Sequence, residues 1–122
     1  MKHNRKTKLY DVACNFEAEP FISVDDSIHF SWKIQSNIAL VQNSYQIYLF
    51  DGKKLIWDSG QKNSRQQINI PYSGPKLDIE KVYSWFVTIS LSDGSILTSN
   101  RQNIYTECSW EDSQWICSSE EL

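Results

Sequence analysis

Residues 82–91 decide the fold, and they read VYSWFVTISL. Large apolar side chains take every second position of this run and therefore share one face: Tyr83, Trp85, Val87, Ile89 and Leu91. Since successive side chains of a strand point to opposite sides of a sheet, this alternation predicts a strand with one buried face. The following SDGS at 92–95 predicts a tight turn.

Working outward from this run, six further segments predict strands. Residues 28–34 (IHFSWKI) and 44–50 (SYQIYLF) alternate as clearly, and the remaining candidates are 8–14, 55–57, 66–70 and 96–106. Seven short strands without a helical pattern predict an all-β fold, an antiparallel immunoglobulin-like (fibronectin type III) β-sandwich. The side chains predicted to be buried between its sheets are Trp32, Tyr45, Ile47, Tyr83, Trp85, Val87 and Ile89. Trp32, Tyr83 and Trp85 are assigned structural roles.

The length and net charge of the chain limit its domain organisation and its partners. The chain has 122 residues, with 12 Lys and Arg against 15 Asp and Glu, and a net charge of −3. A single domain follows from the length, and this charge gives no general attraction to nucleic acid. The sequence contains no apolar run long enough for a membrane span and no visible signal peptide. The expected organisation is a flexible tail at 1–7, the sandwich at 8–108, and a linker at 109–122 toward a following domain absent from this chain.

The three cysteines, Cys14, Cys108 and Cys117, show no CxxC spacing, which disfavours zinc and thioredoxin-like sites. Cys14 and Cys108 lie near the first and last predicted strands, and the sequence leaves open whether they pair. The odd number, the missing signal peptide and the absence of a glycosylation sequon favour the cytoplasm over secretion.

No constellation of residues predicts catalysis, a metal site or a cofactor. Glycoside hydrolysis needs two carboxyl groups held at a set separation. The acidic candidates are adjacent pairs, whose side chains point apart on a strand, or turn residues: Asp25, Asp26, Asp51, Asp58, Asp78, Asp93, Glu111 and Asp112. His3 and His29 are solitary, and the four glycines are single turn residues. We therefore expect no catalytic residue, no metal ligand and no cofactor in this chain.

A finer succession of motifs carries a family resemblance. The chain reads FSW at 30–32, QNSYQI at 42–47, WDSG at 57–60, PYSGPKL at 71–77 and YSWFV at 83–87, and continues with Trp110 and Trp115-Ile116. This order resembles the N-terminal fibronectin-III-like domain of bacterial α-L-rhamnosidases, over about residues 8–116. The resemblance implies that the parent is an inverting glycoside hydrolase whose catalytic carboxylates lie in a later barrel domain. Residues 15–25 and 98–101 depart from the family pattern.

The aromatic residues show two further features, a tyrosine corner and a candidate contact surface. Tyr83, six residues after Leu77, has the position of a tyrosine corner, whose hydroxyl turns back onto the preceding loop. The candidate contact surface comprises Trp57, Tyr72, Trp110, Trp115 and Ile116, to be covered by a following domain or used to stack on sugar. The expected function is a non-catalytic accessory domain of a rhamnosidase-like parent, with the following domains of that chain as partners. The alternatives are a carbohydrate-binding module with weak sugar contact, or a free-standing adhesion or protein-interaction domain.

Overall fold

The computed structural model describes residues 7–18, 20–23, 27–36 and 38–107. Within these ranges the chain forms nine strands: β1 (Lys8–Cys14), β2 (Phe21–Ser23), β3 (His29–Gln35), β4 (Gln42–Asp51), β5 (Lys54–Asp58), β6 (Ile70–Pro71), β7 (Val82–Leu91), β8 (Ile96–Thr98) and β9 (Gln102–Glu107). None of the described residues forms a helix that is long and apolar enough to cross a membrane.

The strands form two sheets. One has three strands in the order β1-β3-β6, and the other has six, in the order β2-β9-β7-β4-β5 with β8 also paired to β7. Neighbours are antiparallel except β2 and β9, which run parallel with Phe21 opposite Tyr105. The predicted all-β sandwich is confirmed.

Three details of the strand prediction differ from the structure. The expected strand at 66–70 is reduced to β6, because the Gln66 side chain donates to the carbonyls of Ile68 and Asn69 and Asn69 has a φ of +56°. The expected strand at 96–106 is divided into β8 and β9. Strand β2 was not predicted, because its three residues are too few to show a period.

The core lies between the two sheets, and aromatic rings join them. Phe30 of β3 meets Trp85 of β7 with ring centroids 4.5 Å apart, and Trp32 meets Tyr45 edge-on at 5.4 Å. All seven side chains predicted to be buried are at most 8% exposed. Burial of each large apolar side chain contributes about 1.5–3 kcal/mol, so this shared interior is the main source of stability.

The loop before β7 is held by the predicted tyrosine corner. Tyr83 is buried, and its hydroxyl accepts a hydrogen bond of 2.8 Å from the backbone amide of Asp78. Leu77, just before that amide, is 4% exposed and packs in the core. The corner therefore anchors the crossing from one sheet to the other.

Candidate functional site

Trp57 and Tyr72, two members of the predicted contact surface, form one aromatic junction. Their rings meet edge-on with centroids 4.7 Å apart, and the Trp57 ring also stacks against Phe30 of the core at 5.9 Å. A Cβ atom added to Gly74 would lie 2.6 Å from Cγ of Trp57 and 2.6 Å from the Tyr72 hydroxyl. Glycine is thus the residue that allows the PYSGPKL loop to close over WDSG.

Tyr72 is engaged at both ends. Its backbone amide donates to the carbonyl of Ile28 over 2.9 Å, and its hydroxyl donates to the carbonyl of Pro75. Burial, and secondarily the proximity of Tyr83, raises the pKa of Tyr72 to about 12. Trp57 and Tyr72 are both half-buried. Their use as a surface for another domain or a sugar stays a prediction.

The rest of WDSG ends the β4–β5 hairpin. The amide of Ile47 donates to Oγ of Ser59, and the amide of Ser59 returns a bond to the Ile47 carbonyl, both over 2.9 Å. Oδ1 of Asp58 accepts from the amide of Gly60 at 2.8 Å and from Nε2 of Gln46 at 2.7 Å. Gly60 has a φ of +75°, where a side chain would be strained. The motif therefore has turn chemistry, as the sequence indicates.

The remaining members of the predicted contact surface, Trp110, Trp115 and Ile116, lie outside the described residues, as do Cys108 and Cys117. The interdomain role of 109–122 therefore stays a prediction. Cys14 is a free, fully buried thiol, and burial raises its pKa to about 12. A thiol with so little thiolate at neutral pH is unreactive, which makes Cys14 a packing residue.

Several carboxylates on the described part of the chain have structural partners. Asp51 lies 2.6 Å from Nζ of Lys81, and Asp11 lies 3.3 Å from Nζ of Lys33. Hydrogen bonds from the side chain and backbone of Ser95 lower the pKa of Asp93, so that it stays an ionised turn residue. Within the described ranges, no group of three His, Cys, Asp or Glu side chains could hold a metal ion.

A groove of about 610 Å³ lies beside the three-stranded sheet. The groove is lined by, among others, the exposed ring of Phe16, the exposed aliphatic side chain of Ile68, Trp32, and the Asp11–Lys33 ion pair. The volume would admit a small ligand. However, its lining contains neither a histidine nor a cysteine that could act as a base or nucleophile.

A second aromatic surface, not predicted from the sequence, lies on the outer face of the six-stranded sheet. Phe86 of β7 stacks on Tyr48 of β4 at 4.9 Å and on Phe50 at 5.9 Å. The guanidinium of Arg101 lies 4.2 Å from the ring centre of Phe50 and 5.6 Å from that of Phe86. The available signal was local: Phe86 interrupts the polar positions of VYSWFVTISL, and Tyr48 and Phe50 occupy the outward positions of β4.

The family of Rha78A-like N-terminal immunoglobulin domains matches residues 9–114. This chain belongs to that family. It is accordingly a non-catalytic immunoglobulin-like accessory domain, and the alternatives of a sugar-binding module and a free-standing domain are not favoured.

Solved structures with the same fold include three α-L-rhamnosidases. The enzyme from Streptomyces avermitilis, solved with L-rhamnose, has a TM-score of 0.75 at 22% identity, over 83% of this chain and 10% of its own. The enzyme from Dictyoglumus thermophilum has a TM-score of 0.77 at 24% sequence identity, and the match covers 89% of this chain and 13% of that enzyme. The enzyme from Aspergillus terreus has a TM-score of 0.71 at 16% sequence identity, and the match covers 87% of this chain and 13% of that enzyme. This chain thus spans about a tenth of the length of these proteins. A comparison with curated proteins finds no match.

Proposed function

We propose that this domain forms the N-terminal part of a larger α-L-rhamnosidase-like enzyme, which releases terminal α-L-rhamnose from glycosides, and that it braces the catalytic part. The observation that carries the proposal is the family match over residues 9–114. The three rhamnosidases with this fold support it, since the matched region is 10–13% of each of them.

The chemistry of the described residues agrees with a bracing role. A glycosidase needs one carboxyl group to donate a proton and a second to act on the sugar or on water. Here Asp58 accepts two hydrogen bonds at the end of a hairpin, and Asp51 and Asp11 are ion-paired with lysines. These contacts keep the three side chains in structural positions, Asp11 at the bulge of β1 and Asp51 and Asp58 at strand ends.

The test compares the 122-residue chain with the longer polypeptide that contains it. With an aryl α-L-rhamnoside as substrate, we expect hydrolysis by the longer polypeptide and none by the chain alone. The longer polypeptide without residues 1–108 should unfold at a lower temperature than the intact one. Turnover by the isolated chain, or a longer polypeptide without rhamnosidase activity, would refute the proposal.

A weak carbohydrate contact at Trp57 and Tyr72 is the subordinate proposal. The partial exposure of both rings supports it, because a pyranose can stack on an accessible ring face. The contacts of Trp57 with Phe30, Tyr72 and Gly74 limit the area available for such stacking. Titration of the isolated chain with L-rhamnose, followed by tryptophan fluorescence, separates the two roles: an unchanged spectrum leaves only the bracing role.

A further inference from the structure

The outer face of the six-stranded sheet exposes several large apolar side chains. Strand register places Leu55, 45% exposed, opposite Phe50, and Val82, 52% exposed, opposite Tyr105. Tyr105 in turn stacks on Phe21, which is 67% exposed. We call the half-buried rings of Tyr48, Phe50 and Phe86, together with the exposed Arg101, the outer aromatic cluster. Exposed apolar side chains grouped on one sheet face in this way indicate an interaction surface.

The geometry of the cluster disfavours a sugar as its occupant. Tyr48, Phe86 and Phe50 stack on one another with interplanar angles of 27° and 19°, so their ring faces are turned toward each other. The guanidinium of Arg101 lies over Phe50. A pyranose needs a free ring face, and on Phe50 it would have to displace the arginine.

The chemistry of the cluster favours protein. Aromatic residues and arginine are enriched at the centres of protein interfaces, where the rigid aromatic rings provide large contact areas with little loss of side-chain entropy. Within the described ranges, Arg101 forms no salt bridge with a carboxylate; its polar contact is a 3.4 Å hydrogen bond to Ser84. A complementary surface would therefore present aliphatic side chains around a carboxylate facing Arg101.

The position where β9 ends indicates which protein partner covers this face. β9 ends at Glu107, two residues after Tyr105, at the end of the sheet where Phe21, Tyr105 and Val82 lie side by side. A domain that follows β9 along the chain would thus begin near this apolar end of the sheet. The three rhamnosidases with this fold have most of their length outside the matched region.

We propose that the outer face of the six-stranded sheet, centred on the outer aromatic cluster, docks a following domain of the same polypeptide, which places a carboxylate against Arg101. This inference rests on the proposed function only in requiring that such a domain exists. The proposed occupant is a covalent neighbour, in place of a second copy of the chain or a carbohydrate.

Hydroxyl-radical footprinting tests the proposal, because the rate of side-chain oxidation follows solvent exposure. The isolated chain is compared with the longer polypeptide at Tyr48 and Phe86. Tyr10 on the other sheet and Phe16 in the turn after β1 serve as internal exposed references, and buried Tyr83 sets the protected rate. In the longer polypeptide we expect Tyr48 and Phe86 to react as slowly as Tyr83, with Phe16 and Tyr10 unchanged.

A matched pair of charge reversals adds a second measurement in the longer polypeptide. Arg101→Glu should restore oxidation of Tyr48 and Phe86, whereas Arg65→Glu, at an exposed site beside the other sheet, should not. Since Arg101 is exposed, far-UV circular dichroism should show both variants folded. Restoration by both variants alike would contradict a docking contact at Arg101.

Three other outcomes overturn the inference. Equal oxidation of Tyr48 and Phe86 in both proteins means that no domain covers the face. Protection that rises with the concentration of the isolated chain identifies a second copy as the occupant. Protection of the isolated chain on addition of L-rhamnose identifies a sugar. Hydrolysis of rhamnosides by the longer polypeptide tests the proposed function separately, since footprinting is independent of activity.

Discussion

Nε1 of Trp32 donates a hydrogen bond of 2.8 Å to Oε1 of Gln42, a side chain only 1% exposed. Nε2 of the Gln42 side chain donates in turn to the backbone carbonyls of Ser64 and Gln66, at 2.9 and 3.0 Å. One buried glutamine thus joins β3 of one sheet, β4 of the other and the irregular segment before β6. A buried polar side chain is tolerated only when it is bonded in this way.

Gln42→Leu should strongly destabilise the domain. The substitution preserves approximate size but leaves the Trp32 indole and two carbonyls without partners, so we expect a loss of about 2–4 kcal/mol of unfolding free energy. Urea denaturation measures the change. Gln35→Leu, at an exposed position of β3, is the matched control and should shift the midpoint little. Equal effects of both substitutions would show that the buried hydrogen bonds are unimportant.

Tyr83→Phe tests the tyrosine corner. It keeps the ring in the core but removes the acceptor for the Asp78 amide, at a cost of about 0.5–1.5 kcal/mol. Tyr105→Phe is the control, because its hydroxyl has only a 3.4 Å contact with Asn103. Chemical denaturation of both variants decides the matter. If they share the wild-type midpoint, Tyr83 stabilises the fold through its ring alone.

Gly74→Ala should disturb the junction of Trp57 and Tyr72. The added methyl group would lie 2.6 Å from Cγ of Trp57, so the loop or the ring must move, at a cost of about 1–3 kcal/mol. Near-UV circular dichroism reports the tryptophan environment directly. Gly52→Ala is the control: its φ is +62°, but nothing lies within 4 Å of the added atom. It should lose stability while keeping the wild-type near-UV spectrum; a change in Gly52→Ala alone would contradict this packing.

Alkaline pH should weaken the fold through Cys14. Burial raises the pKa of this thiol from 9.0 to about 12, so the folded state retains the proton that the unfolded state releases. The resulting contribution to stability is complete below pH 9 and is lost as the pH rises toward 12. Tyr72, with its pKa raised from 10.0 to about 12, adds a loss that begins near pH 10.

Urea denaturation of the wild type and Cys14→Ala between pH 8 and 11 measures this effect. Other ionisable groups are common to both proteins, so the difference in unfolding free energy isolates Cys14. We expect that difference to shrink above pH 9. A difference that is constant across the range would mean that the Cys14 thiol titrates alike in the folded and unfolded states.

The faces of the strands could be predicted from the sequence because a strand's period of two is a local property. Residues 82–91 alternate so regularly that the predicted strand and β7 have the same bounds. The same alternation identified the inward positions of β3 and β4, including Trp32, Tyr45 and Ile47. The tyrosine corner was equally accessible, since Leu77 and Tyr83 lie six residues apart in one loop–strand unit.

Trp57 and Tyr72 illustrate the limit of this local reading. The sequence identified both as contact candidates, and the structure shows them joined over Gly74. Their partnership depends on a loop that crosses from β6 to the other sheet. No periodicity in either segment encodes that crossing.

By itself, then, the sequence determined the all-β class, the buried face of each long strand and the family motifs, because these depend on neighbours along the chain. Only the tertiary structure decided the burial of Gln42, the parallel pairing of β2 with β9, and the meeting of Tyr48, Phe86 and Arg101. Those relationships depend on which distant segments become neighbours and in what register. A shift of one residue between β4 and β7 would turn an outward aromatic side chain into the core, and the packing of both sheets together sets that register.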